Sequence, residues 1–176
     1  MLEPKERIRF AFLQLEFSIK LFCHFERGEV DKDSFDRQTT IRLPGGDLSF
    51  PHSAFHTYRD LVLASQNVYS TTLGLSAVAL DTALSDGGIR NDPTDLSERG
   101  QLRSFIYMVR CAFAHDLMHP KWEARGQYAR TYQLNLGAHS LSVDMAALNG
   151  RPLELEDFGG MLSYLAMKDA VLAWLP

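Results

Sequence analysis

The sequence has few of the features that mark secreted or membrane proteins. Its two cysteines, Cys23 and Cys111, provide neither a disulfide framework nor a CxxC pair. The longest apolar stretches, such as residues 73–83, are interrupted by polar residues well before the roughly 18 residues that a membrane span needs. The first ten residues carry charges of both signs and lack the small-residue cleavage site of a signal peptide. We therefore expect a cytoplasmic protein without a membrane segment.

No strong excess of either charge is present. The 18 Lys and Arg residues against 22 Asp and Glu residues give a net charge of -4, which argues against a protein that coats nucleic acid as a generic polyanion. Contact with RNA would have to be confined to a cleft, and no contact with DNA is expected. A chain of 176 residues can bury one sizeable core but is short for two full domains. We expect a single domain over residues 1–176.

Four stretches of the chain place apolar residues at the three- and four-residue spacing of an α-helix. They are residues 5–27, 53 to about 84, 94 or 95 to about 118, and about 156–175. Gly28 is suited to end the first helix, Ser53 to cap the second, and Thr94 or Asp95 to cap the third. A kink near Gly74 is expected in the second helix because of its length.

Two short segments predict β-hairpins. Residues 39–50, TTIRLPGGDLSF, form two extended arms around a Pro-Gly-Gly turn, and their alternation places Ile41 and Leu43 on one face. The second hairpin has arms at residues 127–136 and 141–143. The predicted fold is therefore mostly α: a helical bundle with one small hairpin between the first two helices and another after the third.

The third helix carries a row of arginines. At 100° per residue, Arg99, Arg103 and Arg110 fall within a sector of roughly 40°, beside a broad apolar arc. Taken alone, Arg99 and Arg103 also fit a solvated edge with ordinary surface ion pairs. Arg110 lies within the apolar stretch IYMVRCAFAH, where a charge without a partner is costly. This makes Arg110 a candidate functional residue.

One interpretation of the following stretch is a zinc hydrolase that uses His115 and His119. The sequence HDLMH has the histidine spacing of a zinc-protease HExxH helix. Asp116, however, is one methylene shorter than the glutamate base of that motif, and Pro120 disfavours the α conformation at His119. The other histidines form no recognisable motif that would supply a third ligand; they are His24, His52, His56 and His139. We therefore favour a site without metal or cofactor.

The other interpretation rests on Arg110 and His115, which are separated by four residues. This R-CAFA-H stretch resembles the R-x4-6-H signature of HEPN domains, and residues 115–123 and 144–165 resemble the C-terminal half of one HEPN-like subgroup. The resemblance covers about residues 96–175. It implies a HEPN-like helical bundle that forms a homodimer, and in active members a metal-independent endoribonuclease with a cleft at the dimer interface. It also implies a toxin or defence role, in which a separate chain acts as antitoxin.

The residue types suit cleavage of RNA without metal. His115 would act as the base or acid at the ribose 2′-hydroxyl, and the planar fork of Arg110 would hold the phosphate. On a continuous helix these two residues point about 140° apart, so a joint site requires the helix to end between them or a second chain to contribute. Asp116 is expected in a supporting role that orients the imidazole. Further candidates near the cleft are Arg103, Tyr107 and Lys121.

Cys111 is the departure from the family pattern. The residue after the arginine is commonly Asn, Asp or His in active HEPN members, whereas a thiol is a weak hydrogen-bond partner. Cys111 would support the site only weakly, and it also fits a small core residue. The alternative function is therefore a non-catalytic binding or scaffolding module that keeps the HEPN shape.

Overall fold

The computed structural model describes residues 2–137 and 139–176, which are mostly helical with two small antiparallel hairpins. This confirms the predicted mostly α class and the position of both hairpins. The elements are α1 (Pro4–Glu26), α2 (Lys32–Phe35), β1 (Thr39–Leu43), β2 (Gly46–Phe50), α3 (Tyr58–Asp86), α4 (Glu98–Ala112), β3 (Thr131–Leu136), β4 (His139–Asp144), α5 (Met145–Leu148) and α6 (Gly160–Trp174), with single 3-10 turns at Gly126–Tyr128 and Leu155–Phe158.

The two longest helices, α1 and α3, pack along each other, and α4 packs between α3 and β3. The centre of the core is aromatic. The ring of Phe105 on α4 lies 5.9 Å from that of Trp122, 5.8 Å from Tyr132 and 5.5 Å from Phe158. Since Trp122 is fully buried, the irregular segment that follows α4 is anchored to the core by its own side chain.

The start of α3 differs from the prediction. Thr57, rather than Ser53, is the N-cap: its hydroxyl accepts from the Asp60 amide, and the Asp60 carboxylate accepts from the Thr57 amide. This reciprocal capping box satisfies two free amides at once, whereas Ser53 has a positive φ of 64° and lies outside the helix. The helix then runs through Gly74 without interruption. A Cβ on Gly74 would lie 2.9 Å from both Leu117 and Phe113, so glycine is needed there for close packing.

Both ends of α4 lie inside the predicted bounds. Ser97 caps the helix by accepting from the Gly100 amide, in place of Thr94 or Asp95. The helix ends at Ala112 and not near Met118. Asp116 explains the early end, because its carboxylate accepts hydrogen bonds from two backbone amides further along and so stabilises a turn in place of a helix.

The β1–β2 hairpin projects from the bundle. All ten of its strand residues are exposed, and its register pairs Ile41 with Leu48. The buried carboxylate of Asp36 holds the base of the hairpin by accepting from the amides of Ala54 and Phe55. The short helix α2, which was not predicted, leads into this base.

Candidate functional site

Helix α4 ends between the two residues of the RxxxxH stretch. Arg110 is half-buried in the last helical turn, and its carbonyl oxygen accepts from the amide of Phe113. His115 follows in the irregular segment and is exposed. The two side chains are therefore not held in the relative orientation that a continuous helix would impose on them.

His115 lies beside a carboxylate. Its Nε2 atom is 3.6 Å from Oε2 of Glu123, and its side chain is 76% exposed. The two residues share an open depression whose lining is completed by Ala112, Asp116, His119 and Lys121. The backbone fixes the far side of this depression, because the Lys121 amide donates to the carbonyl of Ala112 at 3.1 Å. The depression thus combines two imidazoles, two carboxylates and an ammonium group within reach of solvent.

Asp116 pairs with His119 and not with His115. One oxygen of its carboxylate accepts from the amides of Met118 and His119, and the other lies 3.3 Å from Nδ1 of His119. The hydrogen bond from the Met118 amide, followed by that from His119, lowers the pKa of Asp116 below its usual value. The prediction that Asp116 orients the imidazole of His115 therefore differs from the observed pairing. Glu123, and not Asp116, is the carboxylate that lies next to the imidazole of His115.

The neighbours of Arg110 differ from those of His115. Among the residues that the structure describes, no carboxylate lies within ion-pair distance of its guanidinium, and it is not part of the lining around His115. Tyr107 and Cys111 are close to each other beside it, and the thiol of Cys111 raises the pKa of the Tyr107 hydroxyl. The ring of Tyr107 also lies 5.3 Å from that of Tyr128. A single chain therefore does not bring Arg110 and His115 into one depression.

Arg103 is engaged inside the protein. Its side chain is 3% exposed and donates to Asp81 at 2.7 Å, with further hydrogen bonds to Ser85 and to the carbonyl of Ile89. Arg99 is exposed and lies over the ring of Trp174. The predicted arginine row is thus not a continuous solvent-facing surface, because Arg103 is buried and its ion pair with Asp81 joins α4 to α3.

The histidines of HDLMH do not lie on one face of a helix, because the helix has already ended. Each is paired with its own carboxylate, His115 with Glu123 and His119 with Asp116. Within the described ranges, no three or more His, Cys, Asp or Glu side chains are grouped to hold a metal ion. The side chain of His139 lies outside the described part of the chain.

Glu123 is the residue that sequence reasoning missed. It lies eight positions after His115 in an irregular segment, where no periodicity connects the two. The nearest signal in the sequence was Trp122, whose burial turns its neighbours Lys121 and Glu123 toward the depression.

Comparisons with protein-family models, with curated proteins and with solved structures give no match to this chain. In the described part of the chain, none of the helices combines the length and the apolar character that crossing a membrane requires.

Proposed function

We propose that the protein is a HEPN-like, homodimeric, metal-independent endoribonuclease of the toxin or defence type. The observation that carries this proposal is the end of α4 between Arg110 and His115. It leaves a half-buried guanidinium at the helix end and, beyond it, an exposed imidazole next to a carboxylate. These are the groups that cleavage of RNA without metal requires.

In the proposed reaction, His115 removes the proton from a ribose 2′-hydroxyl. The 2′-oxygen attacks the phosphorus, the bond from phosphorus to the 5′-oxygen breaks, and a protonated imidazole returns a proton to the leaving oxygen. The products are a 2′,3′-cyclic phosphate and a 5′-hydroxyl. Glu123, at 3.6 Å from the His115 ring, stabilises the imidazolium that forms during the step.

The phosphate needs a fixed cation as well as a base. Lys121 lines the same depression as His115 and supplies one positive charge from within the chain. Arg110 lies off this depression, so we assign the bidentate phosphate contact to Arg110 of a second copy of the chain. This is the reason that the proposal includes a homodimer.

Cleavage of a mixed panel of single-stranded and structured RNA in the presence of EDTA tests the proposal. We expect the wild-type protein to cut, leaving cyclic phosphate ends, and His115→Ala to be slower by at least about 100-fold. His119→Ala is the matched control, because His119 lines the same depression but is paired with Asp116. Absence of cleavage by a folded wild-type dimer, or equal cleavage by His115→Ala, would refute the nuclease.

Cys111 favours a second candidate, a non-catalytic binding module. It stands where active HEPN members commonly carry a polar residue, and its thiol faces Tyr107. In this case RNA binds without being cut, and Arg110→Ala weakens binding measured by fluorescence anisotropy. Cys111→Asn separates the two candidates: it increases cleavage by a nuclease whose phosphate is poorly positioned, and it leaves a binding module inactive.

A further inference from the structure

Helix α1 has two apolar faces. One face is buried against the bundle and includes Ile8 and Leu15. The other carries Phe10, Leu13 and Phe17, whose exposed fractions are 53%, 61% and 65%. At 100° per residue these three side chains fall within about 60° of one another, on the side away from the core. A helix at the surface of a monomer normally carries polar residues on that side.

The exposed apolar residues continue from α1 onto α3. Leu75 and Val78 of α3 line an open groove together with Phe10 of α1 and Leu2, which precedes α1. We call the whole exposed apolar surface the α1–α3 face; its members are Leu2, Phe10, Leu13, Phe17, Leu75 and Val78, of which Leu13 forms the edge toward α6, where it lines a second groove with Met161 and Leu165. The two phenylalanines alone leave on the order of 100 Å² each in water. The face is therefore as large as patches that usually mark an interface.

The total surface of the chain is also larger than expected for a monomer. Its accessible surface is 10418 Å² for a mass of 19.9 kDa, whereas a monomeric globular protein of that mass exposes about 8,700 Å². A stable two-chain interface buries about 800 Å² or more on each partner. The difference of about 1,700 Å², part of which belongs to the projecting hairpin, leaves room for such an interface.

The α1–α3 face is bordered by charges of both signs, some of which are paired within the chain. Arg7 forms an ion pair with Asp86 at 2.7 Å, and Lys20 forms an ion pair with Glu16 one helical turn away. A face bordered by such pairs has little attraction for RNA or for a strongly charged partner. Glu6 and Arg9, which are exposed on α1, add one charge of each sign, so a copy of the same face meets it without an excess of like charge. A two-fold axis that places the same patch twice is the simplest arrangement that covers it.

We propose that the α1–α3 face is the surface on which two copies of this chain pack against each other. The segment that carries His115 packs through Leu117 on α3 at Gly74, which lies about 100° around the helix from Leu75 of this face. Leu117 is itself 44% exposed. The interface therefore places the His115 segments of the two copies at its margin. That link to catalysis rests on the proposed nuclease, whereas the interface does not.

The test is the molar mass in solution of the full chain and of two matched double variants. Leu13→Ser with Phe17→Ser changes the face, and Ile41→Ser with Leu48→Ser changes two apolar residues on the hairpin that are also exposed, at 45% and 46%. We expect the wild type and the hairpin variant to be dimers of the 19.9 kDa chain. The face variant should dissociate with a dimer constant at least about 100-fold weaker. Circular dichroism should show all three folded, since none of the four positions is in the core.

Three results overturn the interface: a monomeric wild type at micromolar concentrations, a face variant that dimerises like the wild type, or loss of the dimer in the hairpin variant alone. RNA cleavage is measured on the same samples and separates the two proposals. A wild-type dimer that depends on the face but does not cut RNA supports the interface and refutes the nuclease. A monomeric wild type that cuts RNA refutes the interface and the role of Arg110 from a second copy, and retains His115 as the base within one chain.

Discussion

Nη1 of Arg103 lies 2.7 Å from Oδ1 of Asp81, and this ion pair joins α4 to α3 inside the protein. Only 3% of the Arg103 side chain and 16% of the Asp81 side chain are exposed. Replacing Arg103 with Met leaves a largely buried carboxylate without its partner. We therefore expect the free energy of unfolding in urea to fall by about 3 kcal/mol.

The double variant Arg103→Met with Asp81→Asn is the control for that experiment. Because it removes both charges, it should recover part of the stability lost in the single variant. If Arg103→Met lowers the free energy of unfolding by less than about 1 kcal/mol, the pair behaves like an ordinary surface ion pair, which would contradict its description as a buried link between α4 and α3.

Gly74→Ala is expected to move the segment that carries His115. The helical backbone at this position accepts alanine, which even favours a helix interior by about 1 kcal/mol. The new Cβ, however, would lie 2.9 Å from both Leu117 and Phe113, so those side chains must shift. Hydrogen exchange over residues 113–120 should become faster while the helical content stays constant. Gly45→Ala, whose Cβ would have no neighbour within 4 Å, should leave that exchange unchanged.

Asp116 should govern the conformation of the same segment in a pH-dependent way. Its pKa in the folded protein is lowered by the amides of Met118 and His119, so the folded state favours the carboxylate. The stabilisation is therefore present above the ordinary aspartate pKa of about 3.9, and it is lost as the pH falls through the lowered folded value. The amide resonances of Met118 and His119 should shift over that acidic window.

In Asp116→Ala the same two resonances should already be shifted at neutral pH. Asp169→Ala is the matched control, because that carboxylate contacts Lys168 and is 71% exposed. Unchanged amide resonances in Asp116→Ala would show that the turn forms without the side chain.

The β1–β2 hairpin should contribute little to the stability of the bundle. Ile41→Ser exposes no new cavity, because Ile41 is already 45% exposed, and we expect a change below about 0.5 kcal/mol in the free energy of unfolding. Leu80→Ala in the core, where the side chain is 1% exposed, should cost about 3 kcal/mol. A comparable loss in both variants would mean that the hairpin packs against the bundle.

The helices were predictable where one apolar stripe decides the structure. The core positions of α1, among them Ile8 and Leu15, follow the helical period closely, and Gly28 lies just beyond its end. Helix ends were less predictable. Side chains that are near an end in the sequence can form hydrogen bonds with backbone amides there, and these bonds compete with continuation of the helix. Thr57 with Asp60 and the carboxylate of Asp116 each decided such an end by a hydrogen bond that periodicity does not encode.

The candidate site was predictable only in part, for a related reason. Lys121 was proposed near the cleft, and it lines the depression of His115. Arg103 was placed in a surface row because its angle matched that of Arg110, yet a partner on α3 buries it. An angle on a helix gives the direction of a side chain but not the element it meets. Glu123 lies beyond the end of the helix, where no angle applies.

Because Trp122 is buried, its fluorescence can report on the segment that carries His115. The indole Nε1 donates to Asp157 at 2.7 Å, and the backbone of Trp122 bonds to residues 150 and 151, so this ring reports whether the segment after α4 is attached to the C-terminal part of the chain. The other tryptophan, Trp174, is half-buried under Arg99. In Trp174→Phe, the emission of a single fluorophore would therefore follow detachment of the His115 segment separately from unfolding of the helices.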